Sequence, residues 1–176
     1  MKERSLQVRK GVERCSFHDE PVLIIGAKQR EQLLATLRHT RYQAAVIRDG
    51  CLLLVQCTFR DGSTWWMLPG GGREEDEEET ACVAREVLEE CGVVVHVDRL
   101  LSDVAADPPD GTYARWRTYQ CTIVGGEPAP GGGEGPNAEL IATRWLPLED
   151  SSWPDDIAAD RFLYPQLLAV RAFFRD

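Results

Sequence analysis

No stretch of this 176-residue chain approaches the roughly 20 consecutive apolar residues that a membrane-spanning helix needs. Its first residues, MKERSLQVRKGVERC, carry positive charge with no apolar segment behind them, which is not the pattern of a secretory signal. A cytoplasmic setting is the expectation, with no membrane partner. Basic charge is scarce as well: 20 Lys and Arg stand against 29 Asp and Glu, giving a formal net charge of −9 and a pI of about 4.9. No overall positive field exists to hold a nucleic-acid polymer. A small phosphorylated ligand stays open, because a bound metal inverts the local charge at an acidic site. The six cysteines (15, 51, 57, 82, 91 and 121) form no CxxC pair, which argues against zinc and against a disulfide framework. His18, His39 and His96 show no spacing that suggests a metal or catalytic trio.

What is present fits an ordinary globular chain, 43% hydrophobic and 28% charged, long enough for one domain with a layered core. Residues 1–40 are read apart from the rest as an N-terminal extension, with a short strand over Glu20 to Ile25 and a modest helix over Ala27 to Leu37. An extra edge element, a homodimer contact and a lid are all open to it. Residues 41–176 form the main domain. YQAAVIR and CLLLVQCTF flank Asp49-Gly50, a strong two-residue hairpin signal. Thr64 to Leu68 predicts a third strand, ended by Pro69 and three glycines.

A helix is expected from about Glu77 to Cys91. Val83, Ala84, Val87, Leu88 and Cys91 would form its apolar stripe, and Gly92 sits where a C-terminal cap glycine belongs. Strands are expected over Val93 to Leu101, Tyr113 to Val124 and Glu139 to Trp145, with a glycine-rich segment at 125–136 and a terminal helix over Leu163 to Phe174. Strands mixed with a few helices predict α+β architecture with a mixed sheet between helices.

The chemistry concentrates in 23 residues, GGREEDEEETACVAREVLEECGV, from Gly71 to Val93. Glu86 lies three and four residues before Glu89 and Glu90, so all three carboxylates crowd one side of the helix. Like charges so close repel, and clustered oxygen ligands suit a hard divalent ion such as Mg2+ or Mn2+. The bland reading is a solvated acidic face with no ligand. Against it stands the spacing of the other positions: Gly71, Glu77, Arg85-Glu86-Val87, Glu89-Glu90 and Gly92-Val93. This pattern resembles the Nudix box, the signature of the Nudix hydrolase family, with every constrained position filled. From average residue usage, a chance match at one start point is on the order of one in a hundred million.

The resemblance implies an α/β/α sandwich and a divalent-metal-dependent pyrophosphohydrolase. Its substrate would be a nucleoside diphosphate linked to another moiety X, such as a nucleoside triphosphate, ADP-ribose or a nucleotide sugar. The resemblance also implies the roles. Glu86, Glu89 and Glu90 match the metal-binding glutamates, with Glu86 or Glu89 as general base. Gly71 offers its carbonyl to the metal. Arg85 orients the glutamates with Glu77 as partner, and Gly70 and Gly92 shape the surrounding backbone. A late metal ligand is assigned to Glu139, with Glu134 as the alternative. One departure from the usual turn is Arg73-Glu74-Glu75-Asp76, which bears on the shape of the loop.

Of Trp65 and Trp66, which alternate across a strand, one faces inward and the other is free to stack on a nucleobase; Trp66 is the ring expected to do so. Tyr113, Arg115 and Trp116 are further substrate-binding candidates, with Arg115 and Arg117 set to hold a terminal phosphate. The rival reading from another class is a non-catalytic nucleotide sensor. Such modules usually lose box carboxylates, and this chain keeps them all.

Overall fold

The computed structural model describes residues 14–15, 22–23, 40–105, 113–131, 138–149 and 153–174. The chain divides into two compact units, Met1–Thr36 and Leu37–Asp176. In the first, strand β1 (Arg14–Cys15) pairs antiparallel with β2 (Val22–Leu23). The helix expected over 27–37 lies outside the described residues.

The second unit is built on a seven-stranded mixed sheet. Strand β3 (Thr40–Arg48) turns into β4 (Cys51–Phe59) through Asp49 and Gly50, whose φ angles of 52° and 72° are the left-handed pair that a tight hairpin demands. Strand β5 (Thr64–Met67) follows β4, and β6 (Gly70–Gly71) returns to pair with β3 at Tyr42 and Gln43. Then come helix α1 (Glu79–Cys91) and strands β7 (Val94–Ala105), β8 (Arg115–Gly125) and β9 (Ala138–Pro147). Helices α2 (Asp155–Ala158) and α3 (Leu163–Ala172) close the unit. The main path runs β5-β4-β3-β8-β7, with β9 on β4. Strands β3 and β8 are parallel; the other pairs are antiparallel.

Strand alternation sends side chains into two cores. On one face Tyr42, Ala44, Val46, Leu53 and Val55 pack on Cys82, Val83, Val87 and Cys91 of α1. On the other, Ala45, Leu52, Leu54, Leu68 and Leu146 pack on Ile157 of α2 and on Leu163, Leu167 and Val170 of α3. The sheet is thus sandwiched between helices, the α/β/α arrangement expected of an α+β chain. Among the described residues no helix is long and apolar enough to cross a membrane.

Two local differences from the sequence reading matter for function. Leu88 does not belong to the apolar stripe of α1: it is 50% exposed, and Cys82 is buried in its place. The buried row is therefore 83-87-91, and beside it runs a row that begins at buried Cys82 and continues through half-buried Glu86 and Glu90. That second row is what turns two carboxylates toward the sheet. In addition, β9 carries one extra residue where its register against β4 shifts between Gln56 and Cys57: Ala142 faces Gln56, but Leu140 faces Cys57. A bulge of this kind reverses the face occupied by residues on one side of it relative to those on the other.

Candidate active site

The site forms where α1 lies across β6. Pro69 accepts a hydrogen bond from the Ala44 amide at 2.8 Å, which holds the glycine turn against β3. Gly70 has φ 153°, and a β-carbon there would stand 2.3 Å from the Tyr42 carbonyl oxygen. Only glycine fits that close approach of two backbones. The Gly70 amide donates to Oε2 of Glu90 at 2.9 Å. Gly71 lies directly against Glu86: a β-carbon on it would meet Oε1 at 2.4 Å and Oε2 at 2.6 Å. Two consecutive glycines thus receive two carboxylates one helical turn apart. Gly92 ends the helix with φ 69°, its amide donating to the Leu88 carbonyl at 3.0 Å.

Arg85 ties the remaining parts together. Its Nε and Nη2 donate to the two oxygens of Glu77 at 2.8 and 3.0 Å, a bidentate pair. Nη1 donates to Glu86 at 2.9 Å and to Glu89 at 3.1 Å, and Nη2 also reaches the Gly72 carbonyl at 3.2 Å. Hydrogen bonding to Arg85 holds the Glu77 carboxyl below its usual range. Glu77 with Glu86 keeps the Arg85 guanidinium firmly charged against the cost of its partial burial.

Burial acts the other way on the row facing the sheet. It pushes Glu86 upward, although Arg85 and Arg41 oppose it. It pushes Glu90 up to about 7, although Arg41 and the Gly70 amide oppose it. Among the described residues, no three His, Cys, Asp or Glu side chains stand together as a ready metal-ligand set. Arg85 Nη1 lies between Glu86 and Glu89 and satisfies both. The donor chemistry nevertheless fits a hard divalent cation. The groups are all oxygens, and two carboxylates are half-buried at a cost that such a charge would offset.

The other candidates disperse. Glu139 pairs with Thr58 beyond the β9 bulge and is exposed. Its neighbour Leu140 packs on the α1-side core, so Glu139 occupies the opposite face of the sheet, away from Glu86 and Glu90. Glu134 lies outside the described residues. Trp66 is buried in the α3-side core with Arg144 over its ring at 4.5 Å. The exposed ring of that pair is Trp65, opposite Cys57. Trp116 is buried edge-on to Phe162, ring centres 6.2 Å apart.

Arg115 holds Asp103 through two hydrogen bonds, one of 2.7 Å, and Arg117 holds Glu79, which also accepts from the Tyr119 hydroxyl. Their charges are thus engaged within the fold. Tyr113 remains beside the site, its hydroxyl 3.6 Å from where a Gly72 β-carbon would stand. One residue escaped the sequence reading: Arg41, at the start of β3, whose charge bears on Glu90 and Glu86. No spacing rule singles out a lone arginine before an apolar strand.

The family model for the NUDIX domain matches residues 38–167. Among solved structures, the chain is similar to an ADP-ribose pyrophosphatase from Streptococcus suis 89-1591, at 25% identity and TM-score 0.59. That match covers 79% of this chain and 93% of the other. It is similar in fold to a NUDIX hydrolase from Nitrosomonas europaea (22% identity, TM-score 0.60, covering 77% and 89%). A likeness of fold also links it to a C. elegans Ap4A hydrolase binary complex (17%, 0.55, covering 76% and 97%). No curated protein matches the chain.

Proposed function

The chain belongs to the Nudix family and is a hydrolase of that family, and from that premise we propose that it splits a phosphoanhydride bond in a nucleoside diphosphate linked to a second moiety. The observation that carries this reading is the seating of Glu86 and Glu90 on Gly71 and Gly70, with Arg85 bridging Glu86 to Glu89.

Glu86, Glu89, Glu90 and the Gly71 carbonyl would hold Mg2+ or Mn2+. When bound, such a cation offsets phosphate charge, orients the diphosphate and makes water more acidic. The chain's own residues do the rest. Arg85, fixed by Glu77, keeps Glu86 and Glu89 in register with each other. Either Glu86 or Glu89 accepts the proton of the attacking water. The water oxygen bonds to phosphorus, the bridging P–O bond breaks, and its electron pair leaves with the departing phosphate.

Trp65 and Tyr113 are the rings that support base or sugar binding, the first by its exposure and the second by its place beside Gly72. ADP-ribose, the substrate in the name of the Streptococcus suis protein, joins nucleoside triphosphates and nucleotide sugars as a compound to try first. A panel of these compounds incubated with Mg2+ or Mn2+, with phosphorylated products resolved by chromatography, tests the reading. A nucleoside monophosphate and a phosphorylated partner are expected from at least one compound. No product from any of them with either ion would overturn it.

A further inference from the structure

Arg41 lies outside the glycine–glutamate segment, and the chemistry assigned above makes no use of it. Its Nη2 donates to the Leu68 carbonyl at 3.2 Å and lies 3.5 Å from the Met67 sulfur. One nitrogen is therefore spent on tying β3 to the residue just before the Pro69–Gly72 turn. The guanidinium carbon stands 5.6 Å from the centre of the Tyr113 ring, and the Tyr113 hydroxyl lies beside Gly72. Arg41 thus reaches the same cleft as the glycine turn.

Nε and Nη1 of Arg41 have no hydrogen-bond partner among the described residues, and the residue is half-buried. Among the described residues no carboxylate closes an ion pair with it, whereas Arg85, Arg115 and Arg117 each have one in contact. Its charge is sustained by Glu90, Tyr113 and Glu86, two of them the half-buried glutamates that face the sheet. A half-buried guanidinium with free donors, set beside carboxylates that it does not grip, is built to take an acceptor from outside. Its planar fork of N–H groups matches the oxygens of a phosphate.

We propose that Arg41 binds a non-bridging oxygen of the substrate's diphosphate through Nε and Nη1, making it a substrate-binding residue supplied by β3. This rests on the hydrolase reading above and adds to it a protein cation that meets the phosphates directly. A diphosphate entering a cleft of three carboxylates is repelled, and Arg41 offsets part of that repulsion from a fixed position.

The test uses methylenediphosphonate, whose P–C–P bridge is not hydrolysed, as the probe. Its binding to the wild type, Arg41→Lys and Arg41→Met in Mn2+ is measured by calorimetry at about pH 8, where carboxylates are charged. Uptake of Mn2+ alone is followed by electron paramagnetic resonance. Arg41→Met is expected to weaken diphosphonate binding by about 10- to 100-fold, as loss of a charged hydrogen bond does. Arg41→Lys should fall between it and the wild type. Affinity for Mn2+ alone should hold or rise in Arg41→Met, because a cation has been removed beside the carboxylates.

Diphosphonate binding unchanged in Arg41→Met overturns the proposal. So does a parallel fall in both affinities, the mark of a residue that only clamps Leu68. Should Arg41→Met fail to fold, Arg41→Lys decides: full affinity for the probe overturns the proposal, and a loss with Mn2+ uptake intact upholds it. A wild-type protein that takes up Mn2+ but no diphosphonate would overturn the hydrolase reading itself, which separates that failure from a failure of Arg41 alone.

Discussion

Gly71 has no room for a side chain because Glu86 is already there: a methyl group on Gly71 would stand 2.4 Å from Oε1 and 2.5 Å from the carboxyl carbon. Gly71→Ala therefore displaces the Glu86 carboxylate, the freer of the two partners. Turnover should fall by about 100-fold, the scale expected for a misplacement near 1 Å, while the melting temperature changes little. Gly70→Ala meets the backbone of Tyr42 and Gln43 instead. It should cost about 2–4 kcal/mol of stability. Thermal denaturation beside steady-state kinetics separates the two effects.

Arg85 contacts Glu77, Glu86, Glu89 and the Gly72 carbonyl with one guanidinium. Lysine cannot reproduce that fork. Arg85→Lys and Glu77→Gln are each expected to lower kcat by about 10- to 100-fold, as loss of supporting hydrogen bonds around a site does. Because they act through one unit, the double variant should be little worse than either single one. Fully additive losses would show that Glu77 does not work through Arg85.

Glu90 makes the metal-free protein sensitive to pH. Its folded-state value, about 7, is raised above the ordinary 4.5 by burial. Below the ordinary value the group is protonated whether the chain is folded or not, and burial carries no charge penalty. As pH rises toward 7 the unfolded chain releases the proton first, so stability falls across that window. Melting temperatures of the metal-free protein should drop by several degrees between these limits, and Glu90→Gln should flatten the profile. Added Mn2+ should restore stability most at the upper end, where the carboxylate is charged.

Glu139→Gln should leave turnover and Mn2+ affinity within about twofold of the wild type, as surface substitutions away from a site do. The bulge between Gln56 and Cys57 places it on the far face of the sheet. A large loss of Mn2+ affinity in this variant would contradict that placement.

This bulge also marks where the sequence stops being readable. Glu139 and Trp145 are six residues apart, an even count that puts both on one face of a regular strand, and one extra residue in β9 reverses the outcome. Trp65 and Trp66 pose the same parity problem: alternation shows that they part, but pairing with β4 decides which one is buried. Leu88 looks like core by hydrophobicity, yet the buried rows of α1 run through Cys82 and Val83. By contrast, Asp49-Gly50, Gly70 and Gly92 are legible at once, because their backbone geometry admits few residue types. The crowding of Glu86, Glu89 and Glu90 with Arg85 is legible for the same reason, being local to one helix. Arg41 is not, since its neighbours Met67, Leu68 and Tyr113 are distant in sequence.

The most direct test of the whole reading is anomalous diffraction from crystals soaked in Mn2+ together with methylenediphosphonate. The expected result is a manganese peak ligated by carboxylate oxygens of Glu86, Glu89 and Glu90 and bridged to the diphosphonate. A cleft without manganese, or manganese bound only elsewhere on the surface, would contradict it.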